Sequence, residues 1–225
     1  NLSVSYKYDV NALGQRYLQA ERDNIFLSTS STKNEKLTYD RMAQISYIKE
    51  YYNGFSINTN LTAHTKKPAM NVAFETLRLD SKFDTLREMK TSEIGLTLRY
   101  APNEKFFQRR RERRTLPSSG AVFSLSLAAG FKDFLGGEYN YQRASLSISK
   151  QFWLAPYGKL YTSIQGEKIW GKVPYTLLLS ANANSSYTIQ RGSFYLLEPL
   201  EFINDAQVSW DITYRMEGWL FNRIP

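Results

Sequence analysis

The sequence predicts an all-β fold, an antiparallel transmembrane β-barrel with about eight strands in this chain, and three observations lead to this class. Apolar and polar residues alternate along 205–215, with Val208 and Trp210 on one face and Ser209 and Asp211 on the other. The alternation recurs about eight times in segments of roughly ten residues. The polar face is too hydrophilic for a second packed layer, and it suits the wet lumen of a barrel.

Composition agrees with a barrel and argues against other classes. The chain has 225 residues, which we expect to form a single domain over 1–225. Mean hydropathy is −0.46, because lumen-facing residues dilute the average. No stretch approaches the roughly 18 apolar residues of a membrane helix. The 16 Tyr, 13 Phe and 4 Trp residues suit aromatic girdles, and the absence of Cys excludes a disulfide scaffold or a Cys-based zinc site.

Eight segments carry the alternation. They cover residues 2–10, 37–51, 55–64, 94–99, 123–128, 143–152, 160–167 and 205–215. Asn53-Gly54 and Pro156-Tyr157-Gly158 predict tight reversals after the second and sixth segments. Long connections follow the first, third and seventh segments, with a short pairing expected around 25–27 and a loop with a short helix over 66–90. Outer-membrane barrels have short periplasmic turns and long outer loops, so the long connection 101–120 departs from this rule.

Inward-facing positions carry mostly short side chains. The interior of an eight-stranded barrel is filled by side chains, whereas a larger barrel encloses a channel. The short residues therefore favour a wider barrel, of which this chain is incomplete at both ends, with its first and last segments on opposite edges of an open sheet. The short inward residues include Ser56, Asn58, Asn60, Ser124, Ser145, Ser147, Ser163 and Ser209.

The net charge is +8, and the densest basic patch follows the fourth segment. One interpretation of this patch is attraction to phosphates of lipid head groups or of nucleic acid. The other is a solvated loop with surplus charge, which we favour, and we expect no nucleic-acid partner. The patch comprises Arg109, Arg110, Arg111, Arg113 and Arg114.

Few residues suggest chemistry. His64 is the only histidine, so it supports neither a His-based metal site nor a Ser-His triad, and we expect it to form a lumen hydrogen bond or to be exposed. Glu201 and Asp205 lie four residues apart and could bind a cation or act in acid–base chemistry. A lumen salt bridge to Arg215 or Arg191 is the interpretation we favour. With Asp211 these residues are our lumen candidates, and we expect no catalytic residue, metal or cofactor.

The second half of the chain resembles a known family. The blocks that carry the resemblance include Glu201-Phe202-Ile203-Asn204-Asp205 and Asn222-Arg223-Ile224-Pro225, with weaker blocks at 98–106, 151–158 and 171–175. They resemble the barrel of Bacteroidota outer-membrane proteins of unknown function that carry an N-terminal carboxypeptidase-regulatory-like domain. That family is similar to the BamA-like assembly-factor superfamily.

The resemblance implies a barrel of about sixteen strands and a long loop that folds back into the lumen. The connection 169–203 occupies the matching place. It lacks the Val-Arg-Gly-Phe type motif of that superfamily, since Gln190-Arg191-Gly192-Ser193-Phe194 is only a loose echo of it.

We therefore expect a non-enzymatic protein of the bacterial outer membrane, with a transport or assembly role through its lumen and loops. Its partners would be outer-membrane lipid and other outer-membrane or periplasmic proteins. Alternatives are a structural or scaffolding subunit with a plugged lumen, a lipid-modifying outer-membrane enzyme and, for the fold, a soluble β-sandwich. The enzyme would need a Ser, a His and an acidic group that converge, and the sequence leaves His64 isolated from any such group.

Overall fold

The structure is a computed structural model that describes residues 1–13, 36–70, 74–77, 83–104, 106–108, 113–115, 120–184 and 192–218. A short 3-10 helix covers Tyr175–Leu177, and the other regular elements of these ranges are strands. In the described ranges, no helix is long and apolar enough to cross a membrane. The strands are β1 (Leu2–Ala12), β2 (Lys36–Glu50), β3 (Phe55–Met70), β4 (Phe74–Leu77), β5 (Phe83–Leu86), β6 (Met89–Tyr100), β7 (Phe106–Gln108), β8 (Arg113–Thr115), β9 (Val122–Gly130), β10 (Tyr141–Trp153), β11 (Lys159–Trp170), β12 (Leu179–Ser180), β13 (Ile203–Asn204) and β14 (Ala206–Arg215).

Eight of these strands form one antiparallel sheet in the order β1-β2-β3-β6-β9-β10-β11-β14. Within this sheet, each strand lies beside the sheet strand that comes next along the chain. The short pairs β4–β5, β7–β8 and β12–β13 lie in the connections between these eight strands. The prediction of eight antiparallel strands is confirmed. β1 and β14 are the two edges, and within the described ranges they do not pair with each other, so the sheet is open as expected.

One predicted connection is wrong in its extent. Residues 66–90 were expected to form a loop with a short helix, but β3 continues to Met70, β4 and β5 form a hairpin, and β6 begins at Met89. The charges that resembled a loop are paired across the sheet, because Lys66 lies opposite Asp40 of β2. Similarly, 101–120 contains the hairpin β7–β8. The pairing expected around 25–27 lies outside the described residues.

The sheet has one apolar face and one polar face, and their exposure is unusual. On the apolar face, Val4 is 74% exposed, Ile45 47% and Val208 81%. On the polar face, Thr38 is 0% exposed and Thr91 5%. A soluble sheet normally buries its apolar face, so this sheet has the opposite arrangement.

The two ends of the sheet differ in their connections. We call the end of the sheet that carries 51–54, 101–104 and 154–158 the turn rim, and the end that carries 87–88, 131–140 and 171–184 the loop rim. The reversal at the turn rim needs Gly54, because its φ is +81° and a side chain there would meet the backbone of Ala101. Asn53 accepts a hydrogen bond from the Phe55 amide at 3.1 Å, which closes the turn.

Candidate functional site

Charged side chains meet on the polar face near the loop rim. Asp40 on β2 accepts hydrogen bonds from the Asn11 side chain on β1 and from the Thr38 hydroxyl, each at 2.8 Å. Its carboxylate also lies 3.2 Å from Nε2 of His64 on β3. Alternation along β2 places Thr38 and Asp40 on the same face, and the register brings β1 and β3 to either side of them. His64 therefore lies beside an acidic side chain, although the sequence left it isolated from any converging group of a serine, a histidine and an acid.

A second group lies beside the first and involves β6, β9 and β10. The Tyr141 hydroxyl donates a hydrogen bond to Glu93, and an Arg143 guanidinium nitrogen lies 3.3 Å from the same carboxylate. Gly130 of β9 is the Cα partner of both Glu93 and Tyr141. A side chain at Gly130 would collide with the Tyr141 ring. Tyr141 can therefore cross β9 only because residue 130 has no side chain.

Lys66 joins the two groups. It lies opposite Asp40 in the ladder of β2 and β3, and its ammonium interacts electrostatically with both Asp40 and Glu93. We call Asp40, His64, Lys66, Glu93, Tyr141 and Arg143 the charged network.

The network contains two carboxylates and three basic side chains, so each buried charge has an opposite charge nearby. A satisfied network of this kind fixes strand positions more readily than it performs acid–base chemistry. Among the described residues, no group of three or more His, Cys, Asp or Glu side chains could hold a metal ion.

The connection from β11 to β14 lies over the polar face. Thr176 donates a hydrogen bond to the sulfur of Met89 at 3.2 Å, and Met89 is the polar-face partner of Lys66. The carbonyl oxygen of Pro199 accepts a hydrogen bond from Lys36 of β2 at 2.7 Å. Leu179 in β12 is fully buried. The described parts of this connection thus reach from β11 back to β6 and β2.

A cavity of about 810 Å³ lies between this connection and strands β10, β11 and β14. The strands line it with Ser149, Gln151, Gln165 and Asp211, among others. The connection contributes Asn182, Phe194 and Phe202, among others. Gln151 is only 7% exposed, and its Nε2 has no hydrogen-bond partner among the described residues. A buried donor without a partner is rare in folded proteins and calls for an explanation.

The acidic side chain of Glu88 lies at the loop rim. Glu88 precedes β6 and pairs with Lys90 at 2.6 Å and with Lys67 at 3.1 Å. Hydrogen bonds from these two lysines, the one from Lys90 first, lower the pKa of the Glu88 carboxyl below its usual value. This pairing ties the start of β6 to β3.

The described lumen candidates from the sequence have contacts other than the expected salt bridge to Arg215. Asp205 pairs with Lys168 at 3.8 Å rather than with Arg215. Glu201 accepts a hydrogen bond from the Glu198 amide within its own connection. Arg215 lies over the Tyr161 ring at 5.5 Å. Asp211 is on the polar face, where it lines the cavity.

The basic patch is only partly described. Arg113 and Arg114 belong to β8, of which the backbone alone is described, and Arg109, Arg110, Arg111 and Arg191 lie outside the described residues.

Sequence reasoning did not single out the charged network. Asp40 falls on the polar face of β2, but its neighbours Thr38 and Met42 were not read as part of the alternation. Lys66 was assigned to a loop. Extending the period-two alternation through 38–44 and 62–66 would have placed Asp40 and Lys66 on the polar face of their strands.

Comparisons with known proteins give one result. No curated protein and no solved structure matches the chain. A family model described as the C-terminal domain of a family of unknown function (DUF5686) matches residues 13–225, which is nearly the whole chain. The chain therefore belongs to the DUF5686 family and comprises its C-terminal domain.

Proposed function

We propose that the eight-stranded sheet is part of the wall of a bacterial outer-membrane β-barrel, with its apolar face toward lipid and its polar face toward the lumen. The observation that carries this proposal is the exposure of the two faces. Large apolar side chains such as Val4, Val208 and Trp210 are exposed, whereas several polar-face side chains, among them Thr38, Thr91 and Gln151, are buried. A contiguous exposed apolar surface of this extent is rare on soluble monomers and is normal for a barrel in lipid.

Strand length and aromatic placement also support a membrane position. The eight strands have 9 to 16 residues, and a tilted transmembrane strand needs about 9–11. Aromatic rings form a row near the turn rim, where Phe55, Tyr100 and Phe123 are consecutive cross-strand neighbours. Rows of this kind are typical of the girdles at membrane interfaces.

The role we propose is non-enzymatic: transport or outer-membrane assembly through the lumen and loops. Asp40 and His64 supply two members of a possible catalytic set, but their described contacts include no serine nucleophile. The sequence resemblance to Bacteroidota barrels that follow a carboxypeptidase-regulatory-like domain, and through them to BamA-like assembly factors, supports a place among outer-membrane proteins. It also supports a complete barrel of about sixteen strands.

A second candidate is a scaffolding subunit with a plugged lumen. It is favoured by the connection from β11 to β14, whose Thr176 and Pro199 contact β6 and β2 across the polar face. A lumen filled in this way would conduct poorly, and partners would then bind the loops rather than pass through.

Membrane extraction tests the main proposal. The full-length protein is expressed in a bacterium, and its membranes are washed with alkaline carbonate, with high salt and with detergent. We expect the protein to leave the membrane only in detergent. Release by carbonate or salt would contradict the membrane position and favour the soluble β-sandwich.

Bilayer conductance separates the two candidate roles. The purified full-length protein is inserted into planar bilayers beside a variant in which a short Gly-Ser linker replaces residues 174–200. A plugged scaffold should conduct only after the replacement. A transporter with an open lumen should conduct in both forms, and this outcome would contradict the plug.

A further inference from the structure

The cavity beneath the connection from β11 to β14 contains an unused hydrogen-bond donor. Gln151 lies near the end of β10, is more than nine-tenths buried, and lines the cavity. Within the described part of the chain, its Nε2 has no hydrogen-bond partner. An unmet buried donor of this kind costs stability. A ligand with an oxygen acceptor inside the cavity would recover this cost.

The other lining groups define the ligand further. The cavity wall is rich in neutral amides and hydroxyls, among them Ser149, Ser163, Gln165, Asn182 and Gln207. Such groups both donate and accept hydrogen bonds, as an array of ligand hydroxyls requires. Asp211 is an acidic side chain in the same wall, and it disfavours an anionic ligand. Lys150 also borders the cavity, but its ammonium lies over the Phe152 ring at 4.7 Å, on the opposite face of β10 from Ser149 and Gln151.

Two aromatic side chains of the connection also line the cavity. Phe194 and Phe202 are each exposed although they stand on the polar side of the sheet. Phe194 is held in place by backbone hydrogen bonds with Asn182 and Asn184, at 2.9 and 3.0 Å. Exposed rings beside neutral hydrogen-bonding groups suit the apolar C–H faces of a sugar ring.

We propose that this cavity binds a neutral carbohydrate, with the Gln151 amide donating to a sugar oxygen and Phe194 and Phe202 lying against the sugar rings. The volume of about 810 Å³ falls in the range of small-molecule sites, which is about 300–1,000 Å³. The inference goes beyond the proposed function, since the cavity lies on the polar face whether or not the other face meets lipid.

The test uses the full-length protein in lauryldimethylamine oxide, a detergent without a sugar head group. Maltotetraose, cellotetraose and chitotetraose are titrated by calorimetry, with tetragalacturonate as the anionic comparison. We expect at least one of the neutral tetrasaccharides to bind and tetragalacturonate to bind more weakly. Absence of binding by all three neutral probes, or equal binding of the anionic one, overturns the proposal.

Variants then locate the site. Gln151→Leu and Phe194→Ala should each weaken binding about tenfold. The matched control is Gln44→Leu, which changes a polar-face glutamine of β2 away from the cavity and should leave affinity unchanged. Two changes on separate segments keep the test valid if one variant fails to fold. Unchanged affinity in the folded variants overturns the assignment.

Carbonate extraction of the same protein distinguishes this proposal from the membrane proposal. A protein that resists carbonate yet binds no neutral probe contradicts the carbohydrate site alone. A protein that carbonate releases but that binds maltotetraose or its analogues contradicts the membrane position alone.

Discussion

Single side chains join strands on the polar face of this sheet. Tyr141 of β10 reaches Glu93 of β6 across β9, and this contact depends on the absence of a side chain at Gly130. Gly95 makes similar room for the side chain of Asn60. Glycine weakens a strand by itself, so glycine at these two positions is best explained by the side chains that cross it.

The substitution Gly130→Ala should therefore destabilise the protein. The added methyl group would displace the Tyr141 ring and break its hydrogen bond to Glu93, at a cost of about 1–3 kcal/mol. Urea unfolding followed by tryptophan fluorescence measures this cost. The matched control is Gly166→Ala on β11, where the nearest atom to a new Cβ is a Val208 methyl at 4.0 Å. Equal stability of the two variants would contradict a specific role for Gly130.

The apolar face offers a second prediction at the residue scale. Arginine at Leu96, Ile148 or Val208 should cost about 2–4 kcal/mol near the middle of a bilayer, because these side chains would meet lipid. Arginine at Ser147 or Ser209, on the polar face, should have a mild effect. Folding into lipid vesicles measures both sets. Similar costs in the two sets would show that the faces are assigned wrongly.

At the scale of elements, the connections at the two rims differ in length and role. At the turn rim, β2 and β3, and also β10 and β11, are joined by tight reversals, while at the loop rim the connection from β11 to β14 folds over the polar face. The charged network also lies toward the loop rim. The loop rim is therefore the end at which we expect partners or ligands to enter.

This asymmetry predicts the orientation in the membrane. Short turns of outer-membrane barrels face the periplasm and long loops face outward. Tyr52 at the turn rim and Lys132 at the loop rim are both exposed, so Tyr52→Cys and Lys132→Cys suit thiol labelling. In intact cells an impermeant maleimide should label only position 132, and both positions after lysis. Labelling of position 52 in intact cells would reverse the orientation.

At the scale of the whole molecule, β1 and β14 are edges with backbone groups left for further pairing. In lipid, unpaired N–H and C=O groups cost several kcal/mol each, so a membrane position requires that other strands cover both edges. The expected partners are further strands rather than β1 and β14 themselves, because no ladder joins these two strands within the described ranges.

Cysteine cross-linking tests the sheet order in the full-length protein. Ser3 and Ser46 are Cα partners with their hydroxyls 2.7 Å apart, which suits a disulfide. Oxidation should cross-link the pair Ser3→Cys with Ser46→Cys. It should leave Ser3→Cys with Ser209→Cys reduced, because β1 and β14 lie on opposite edges. Efficient cross-linking of the second pair would indicate a closed eight-stranded barrel.

The extent to which the sequence predicted this structure differs from feature to feature. Alternation located β9, β10 and β14 closely, and Asn53-Gly54 located a reversal. The prediction for 66–90 was wrong because charged residues such as Lys66 are typical of a loop. In the structure Lys66 lies in β3 opposite Asp40 of β2, and the sequence does not show this pairing. Asp205 pairs with Lys168, a partner that the sequence did not indicate, and the expected alternative Arg191 lies outside the described residues.

By itself, the sequence determined the all-β antiparallel sheet of eight strands, its two faces and the order of its strands. These depend on local rules, because a residue's face follows from backbone alternation and a tight turn makes successive strands neighbours. The tertiary structure alone decided the charged network, the path of the β11–β14 connection and the cavity beneath it. Those depend on contacts between distant residues, such as Thr176 and Met89, which are 87 positions apart, and only strand register and the route of a connection bring such residues together.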